Sequence, residues 1–131
     1  MLLPVGSFAD DVVVRAVGEG RYRCDLSGDW DLVAVPQGGV VASVALRAAA
    51  LEVDSPVQVL RTCTTVFAGQ VAAGPLVVDV KVLRRGRSAT QLMATVTNEG
   101  SDSGATVLAV YGGPRTGPTF VDVTPPEVPP P

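Results

Sequence analysis

Between Val35 and Val53 the chain reads VPQGGVVASVALRAAALEV, and this stretch limits the possible folds more than any other. Its unbroken run of apolar helix formers predicts a helix from about Gly39 to Glu52, stopped by Asp54-Ser55-Pro56. From Val40 to Leu51 the only polar residues are Ser43 and Arg47. A surface helix carries a solvated face, whereas one that is apolar around its circumference is buried. The helix is therefore expected to be enclosed, with Val40, Val44 and Leu51 deep inside. Its alanines and glycines keep it thin, so the covering layer can approach closely.

The remaining segments supply that layer. VVVRAVGEGRYRCDLS reads as two short strands around the turn at Gly18-Glu19-Gly20, with Tyr22, Cys24 and Leu26 alternating against Arg21, Arg23 and Asp25. GDWDLVAVP is a loop carrying Trp30, the single tryptophan. After the helix come VQVLRTCTTVFAG, PLVVDVKVLRRG, SATQLMATVTNE and ATVLAVYGG, all rich in β-branched residues. Val78, Val80 and Val82 share one face of their strand, and Leu92, Ala94 and Val96 share one face of theirs. The joints are short and contain glycine or polar residues, which suits antiparallel neighbours. The predicted architecture is α+β, an antiparallel sheet wrapped around one long apolar helix, filling residues 1–111. Residues 112–131 differ in kind. Five prolines in the last seven residues favour extended polyproline geometry, so this end reads as a linker or tail.

Composition excludes several functions. The 131 residues are 47% hydrophobic but only 18% charged, lean enough in charge to suggest a surface that is covered by a partner. A net charge of −3 gives no general attraction to nucleic acid or to anionic membranes. The start, MLLPVGSFADD, lacks the basic region of a signal peptide, and no run is long enough to span a membrane, so the expected location is the cytoplasm. Histidine is absent, which removes Ser-His-Asp triads, Cys-His pairs and His-bound zinc. No P-loop and no glycine-rich dinucleotide fingerprint occurs, and neither a metal nor a cofactor is expected. Cys24 and Cys63 sit in strands rather than in a CxxC arrangement, and both are expected to be buried thiols.

RYRCDLSGDWDLVAVPQGGVVASVALRAA, followed by VFAGQVAAGPLVVDVKVLRRGRSATQLMATV, resembles the N-terminal half of thioesterase II-like acyl-CoA thioesterases. The matching pieces are a Trp-loop-Pro-x-Gly-Gly helix start from Trp30 to Gly39, Phe67, Gly74-Pro75, and VLRRGRS from Val82 to Ser88. The resemblance implies a hot dog fold, and it spans most of residues 20–111. It also implies a second hot dog domain after a linker, or a homodimer that rebuilds the double unit.

In such an enzyme the helix start would polarise the thioester carbonyl of an acyl-CoA. Gly38 and Gly39 permit close backbone approach, and the first-turn N–H groups carry partial positive charge. Gln37 is a candidate for bonding the carbonyl or orienting water, or else it caps the helix. Single-domain relatives carry an acidic residue about two and a half turns into the helix, a place that falls near Leu46 here. Leucine does no acid–base work. Ser43 is a candidate substrate contact, although a helical serine more often bonds back to its own helix. Thr62, Thr64 and Thr65 are strand residues first and substrate contacts second. The basic cluster Arg84, Arg85, Arg87 and Ser88 suits the phosphates of coenzyme A. It equally suits a solvated edge that discourages aggregation.

The expected function is that of an acyl-CoA thioesterase-like hot dog domain, the N-terminal half of a double hot dog enzyme. The alternative is a non-catalytic structural or acyl-binding domain, which the missing helix carboxylate favours. A hydratase relative would need a catalytic histidine.

Overall fold

The structure, a computed structural model, describes residues 6–131. The segment Met1–Val5, on which part of the leader argument rests, lies outside the described residues.

Six strands form one antiparallel sheet in the order β1-β2-β4-β5-β6-β3. β1 (Arg15–Gly18) and β2 (Arg21–Leu26) form the hairpin expected around Gly18-Glu19-Gly20. β3 (Val59–Phe67), β4 (Gly74–Arg85), β5 (Ala89–Asn98) and β6 (Gly104–Gly112) are the four longer strands. A long helix, α2 (Gly38–Glu52), begins one residue before its expected start and packs on β4, β5 and β6. A one-turn helix, α1 (Phe8–Asp11), was not anticipated. It is fixed by Trp30, whose Nε1 donates to Asp11 Oδ2 at 3.0 Å, while the Phe8 ring meets Trp30 edge-on.

Strand periodicity fixes which side chains meet the helix. Leu76, Val78, Leu92, Ala94, Val96 and Val107 are essentially inaccessible and face Val44, Ala45, Ala48 and Ala49 across the interior. The alanines do what thinness requires: their small side chains, with Val40, Val41 and Val44, form the buried face on which the sheet packs. Val40 and Val44 are buried at 4% and 0% exposure, as expected.

Leu51 is not. It is 61% exposed, because the sheet covers only one side of the helix. Ala50 and Leu51 face outward with Arg47, while Ala42 and Leu46 are half-covered. An apolar circumference demands burial but does not specify that one sheet supplies all of it. The second correction concerns the thiols. Cys24 is buried, but Cys63 is exposed. Cys63 lies on β3, the sheet edge beyond the helix, where eight of nine residues are exposed.

Two terminal devices complete the frame. Gln37 caps α2, its Oε1 accepting from the Val40 N–H at 3.1 Å. Tyr111 donates its hydroxyl to the Leu46 carbonyl at 3.0 Å, tying β6 to the middle of the helix. Beyond Gly113 the proline-rich end has no regular secondary structure, and its residues are exposed.

Candidate active site at the start of the long helix

The loop from Trp30 to Pro36 folds back on itself through a bridge between Asp31 and Pro36, and the Gln37 N–H donates to the Trp30 carbonyl at 3.0 Å. This presents Leu32 and Val35 beside the first turn of α2. The end of β3 supplies Phe67 on the opposite side. Together with Gly38, Val41 and Val71 these residues line an apolar depression of about 500 Å³.

The two glycines now have a physical reason. A Cβ at Gly38 would stand 2.9 Å from the Phe67 ring, and one at Gly39 would stand 2.8 Å from Gln37 Oε1. Gly38 makes room for the ring, and Gly39 makes room for the cap. The Gln37 carbonyl oxygen is engaged at Val40. Among the described residues, the Gly38 and Gly39 N–H groups donate to no partner. Free first-turn amides carry the partial positive charge of the helix N-terminus.

Ser43 donates its hydroxyl to the Gly39 carbonyl at 2.7 Å, the back-bonding expected of a helical serine. Leu46 is half-covered against the core, and no carboxylate replaces it on the helix before Glu52. Glu52 is occupied at the far end, where its carboxylate accepts from the Tyr22 hydroxyl. Burial, reinforced by that bond and by the Glu52 charge, pushes Tyr22 up to about 12. Thr62 and Thr64 are exposed, and Thr65 is half-buried.

The basic cluster lies elsewhere. Arg84 and Arg85 end β4, and Arg87 and Ser88 form the turn into β5. Arg85 donates to the Glu52 carbonyl at 2.9 Å, which places this turn beside the C-terminal end of α2. A helix of 15 residues is about 22 Å long. Within one chain, the structure therefore separates Gln37, Gly38 and Gly39 from Arg84, Arg85, Arg87 and Ser88. Residue types alone carried no information about that separation. Sequence reasoning also missed the contributions of Leu32, Val35 and Phe67 to the depression. Their apolar character in a loop and at a strand end was the available signal.

The family profile for the acyl-CoA thioesterase N-terminal domain matches residues 26–112. The chain belongs to that family. Among solved structures, a candidate thioesterase II from Thermobifida fusca YX superposes with a TM-score of 0.81 at 26% identity, covering 99% of this chain and 48% of the other. A hot dog fold protein of unknown function from Alicyclobacillus acidocaldarius gives 0.83 at 24% identity over 97% of this chain and 47% of the other. The acyl-CoA thioesterase II TesB2 from Mycobacterium marinum gives 0.74 at 21% identity over 94% and 45%. The hot dog fold is thereby established, and the chain spans about half the length of these relatives. Among curated proteins, none matches the sequence significantly. The family match includes the Trp30–Gly39 helix start, Phe67, Gly74-Pro75 and the Arg84–Ser88 turn, pieces on which the resemblance rested.

Proposed function

We propose that the chain is the N-terminal half of a double hot dog acyl-CoA thioesterase, or a subunit that rebuilds that unit as a homodimer. The observation that carries this reading is the pair of free amides at Gly38 and Gly39, with Gly38 lining an apolar depression about 500 Å³ in volume. An acyl chain fits such a lining, and a thioester carbonyl at the helix start would place its developing negative charge on the amides. A single donor of this kind is typically worth about 10²–10³ in rate.

The second domain has a defined place. β3 is an unpaired edge that runs from the C-terminal end of α2 towards its start. Antiparallel pairing with an equivalent strand would bring the partner's arginine turn beside this helix start. The two halves of the expected site, separated within one chain, would then meet across the pair. The same pairing would cover Cys63, Leu60 and Phe67. The unbridged Cys24 and Cys63 fit a reducing compartment, and we assign the protein to the cytoplasm.

With leucine at position 46, this chain holds no carboxylate on the helix before Glu52 to activate water at the helix start. General-base assistance is typically worth about 10²–10⁴. The 131-residue chain alone is therefore expected to hydrolyse acyl-CoA poorly in a free-thiol assay across a panel of chain lengths, and the downstream domain to restore turnover. Robust turnover by the chain alone would overturn this division of labour. No turnover with the second domain supplied would favour the other reading, a non-catalytic acyl-binding domain, which Leu46 itself supports.

A further inference from the structure

The apolar depression beside α2 has two stiff walls and one element that can yield. On one side the loop before the helix is closed on itself. The Leu32 N–H donates to the Val35 carbonyl at 3.1 Å, and the Gln37 N–H to the Trp30 carbonyl at 3.0 Å. On the other side the chain leaving β3 is tied to the start of β6, where the Ala68 and Gly69 N–H groups both donate to the Gly104 carbonyl, at 3.0 and 2.9 Å. Gly69 is packed so closely there that a Cβ would stand 2.6 Å from Ser103 Oγ. Val41 and Val71, at 2% and 5% exposure, form the floor.

The yielding element is the ring of Phe67. Its backbone is fixed opposite Ala105 on β6, but the residue is 55% exposed. The ring reaches the helix start tip first. Around a Cβ built at Gly38, its immediate chain neighbours aside, the three nearest atoms are Cζ, Cε1 and Cε2 of Phe67, at 2.9, 3.3 and 3.5 Å. The ring edge thus stands against the residue whose free amide is proposed to receive the thioester carbonyl. The first carbons of an acyl group entering the depression from that carbonyl pass this edge before they reach Val41 or Val71. A straight chain presents one methylene at a time to the ring and gains contact with it. A branch at the carbon next to the carbonyl puts a second carbon where the ring already stands, and the hydrogen-bonded walls do not widen to admit it.

We propose that Phe67 is the specificity-determining residue of this depression, and that it selects straight-chain aliphatic acyl groups over those branched next to the carbonyl. The proposal rests on the thioesterase reading for the place of the carbonyl, and adds to it the shape of the acyl group. Gln70 is the single polar side chain of the lining. Acyl groups carrying hydroxyl or carboxyl substituents would therefore lose hydration there without gaining partners. One misplaced methylene in an apolar pocket typically changes selectivity about 10–200-fold, which sets the scale of the effect. Replacing the ring by a methyl group removes the obstruction and leaves both walls in place.

The test compares two isomers, hexanoate and 2-ethylbutanoate, which carry the same charge and the same carbons and differ in the branch. In an NMR titration of the full 131-residue chain, hexanoate is expected to shift the amide signals of Gly38, Val41 and Val71 saturably. Its affinity should exceed that of 2-ethylbutanoate by about tenfold or more. Phe67→Ala should bring the two affinities together, and Phe67→Leu should fall between. Phe120→Ala, in the exposed tail, should leave the preference unchanged. An equal response to both isomers, no shift at these signals, or a preference that survives in Phe67→Ala would overturn the proposal. Turnover with the second domain supplied separates the proposal from the reading beneath it. If acyl-CoA is hydrolysed but Phe67→Ala leaves the kcat/KM ratio of straight to branched substrates unchanged, the proposal falls and the thioesterase reading stands. If nothing is hydrolysed but the isomer preference depends on Phe67, the preference belongs to an acyl-binding domain, and only the thioesterase reading is removed.

Discussion

Gly38 and Gly39 differ in consequence although both stand in the first turn of one helix. Alanine at Gly38 gains about 1 kcal/mol in helix preference, while the half-exposed Phe67 ring must move to admit the methyl. Gly38→Ala is therefore expected to leave the thermal midpoint nearly unchanged. If the proposed function holds, turnover with the second domain supplied should nevertheless fall, because Phe67 lines the depression and its ring is displaced. Replacing Gln37 by leucine removes the cap at Val40 and should cost about 1 kcal/mol in a denaturant titration. Tyr22 gives a pH signature. Its phenol, raised from 10.0 to about 12, is protonated in both folded and unfolded chains below the unfolded value, so its full contribution is present there. Between 10.0 and about 12 the unfolded chain ionises first, and stability falls as pH rises. Stability measured across that window should decline by up to about 2–3 kcal/mol in the native protein. The decline should flatten in Tyr22→Phe.

At the scale of the element, the nine-residue edge strand β3 and the outer face of α2 are built unlike the central strands. β4 and β5 each have a strand on both sides, whereas β3 has β6 on one side only. Cys63 reports on this edge. A thiol reagent is expected to modify Cys63 rapidly in the isolated chain and Cys24 only on unfolding, since Cys24 is 1% exposed. Addition of the second domain should protect Cys63. Leu51 reports on the helix in the same way. Leu51→Lys should change the stability of the isolated chain by no more than about 0.5 kcal/mol, while weakening association detected by sedimentation. Leu76→Ala, at a fully buried site, should cost about 2–5 kcal/mol and serves as the contrasting core substitution.

The whole molecule joins a well-packed interior to a surface that is incompletely polar. Leu51, Leu60, Phe67, Leu83 and Leu108 are all at least 40% exposed. With 18% charged residues, the chain has little charge to separate these side chains from one another. Association with a second copy or a second hot dog domain is the expected outcome, and a clean monomer in sedimentation at micromolar concentration would count against it. The charges it does have are divided, with ion pairs along β1, β2 and β4 and unpaired arginines at the opposite corner.

The sequence by itself determined the long helix, the six strands and most of the side chains that form the core. Alternation at Tyr22, Cys24 and Leu26, and at Leu92, Ala94 and Val96, specified which strand faces turn inward, because a strand's period of two admits only one choice. The run from Val40 to Leu51 specified a helix that had to be buried. The order of Trp30, Gly38-Gly39, Phe67 and the Arg84–Ser88 turn was enough to indicate the family. Only the tertiary structure decided how far burial extends, because a helix cannot encode whether its cover comes from one sheet or from two domains. Leu51 and Cys63 are exposed for that reason. It also decided that the arginine turn lies at the opposite end of the helix from the free amides, and that Arg61 and Arg115 join that turn. Spacing along the chain does not report distance through space until the strands are paired. The register of β3 on β6 and of β4 on β5 brings these residues to their corner.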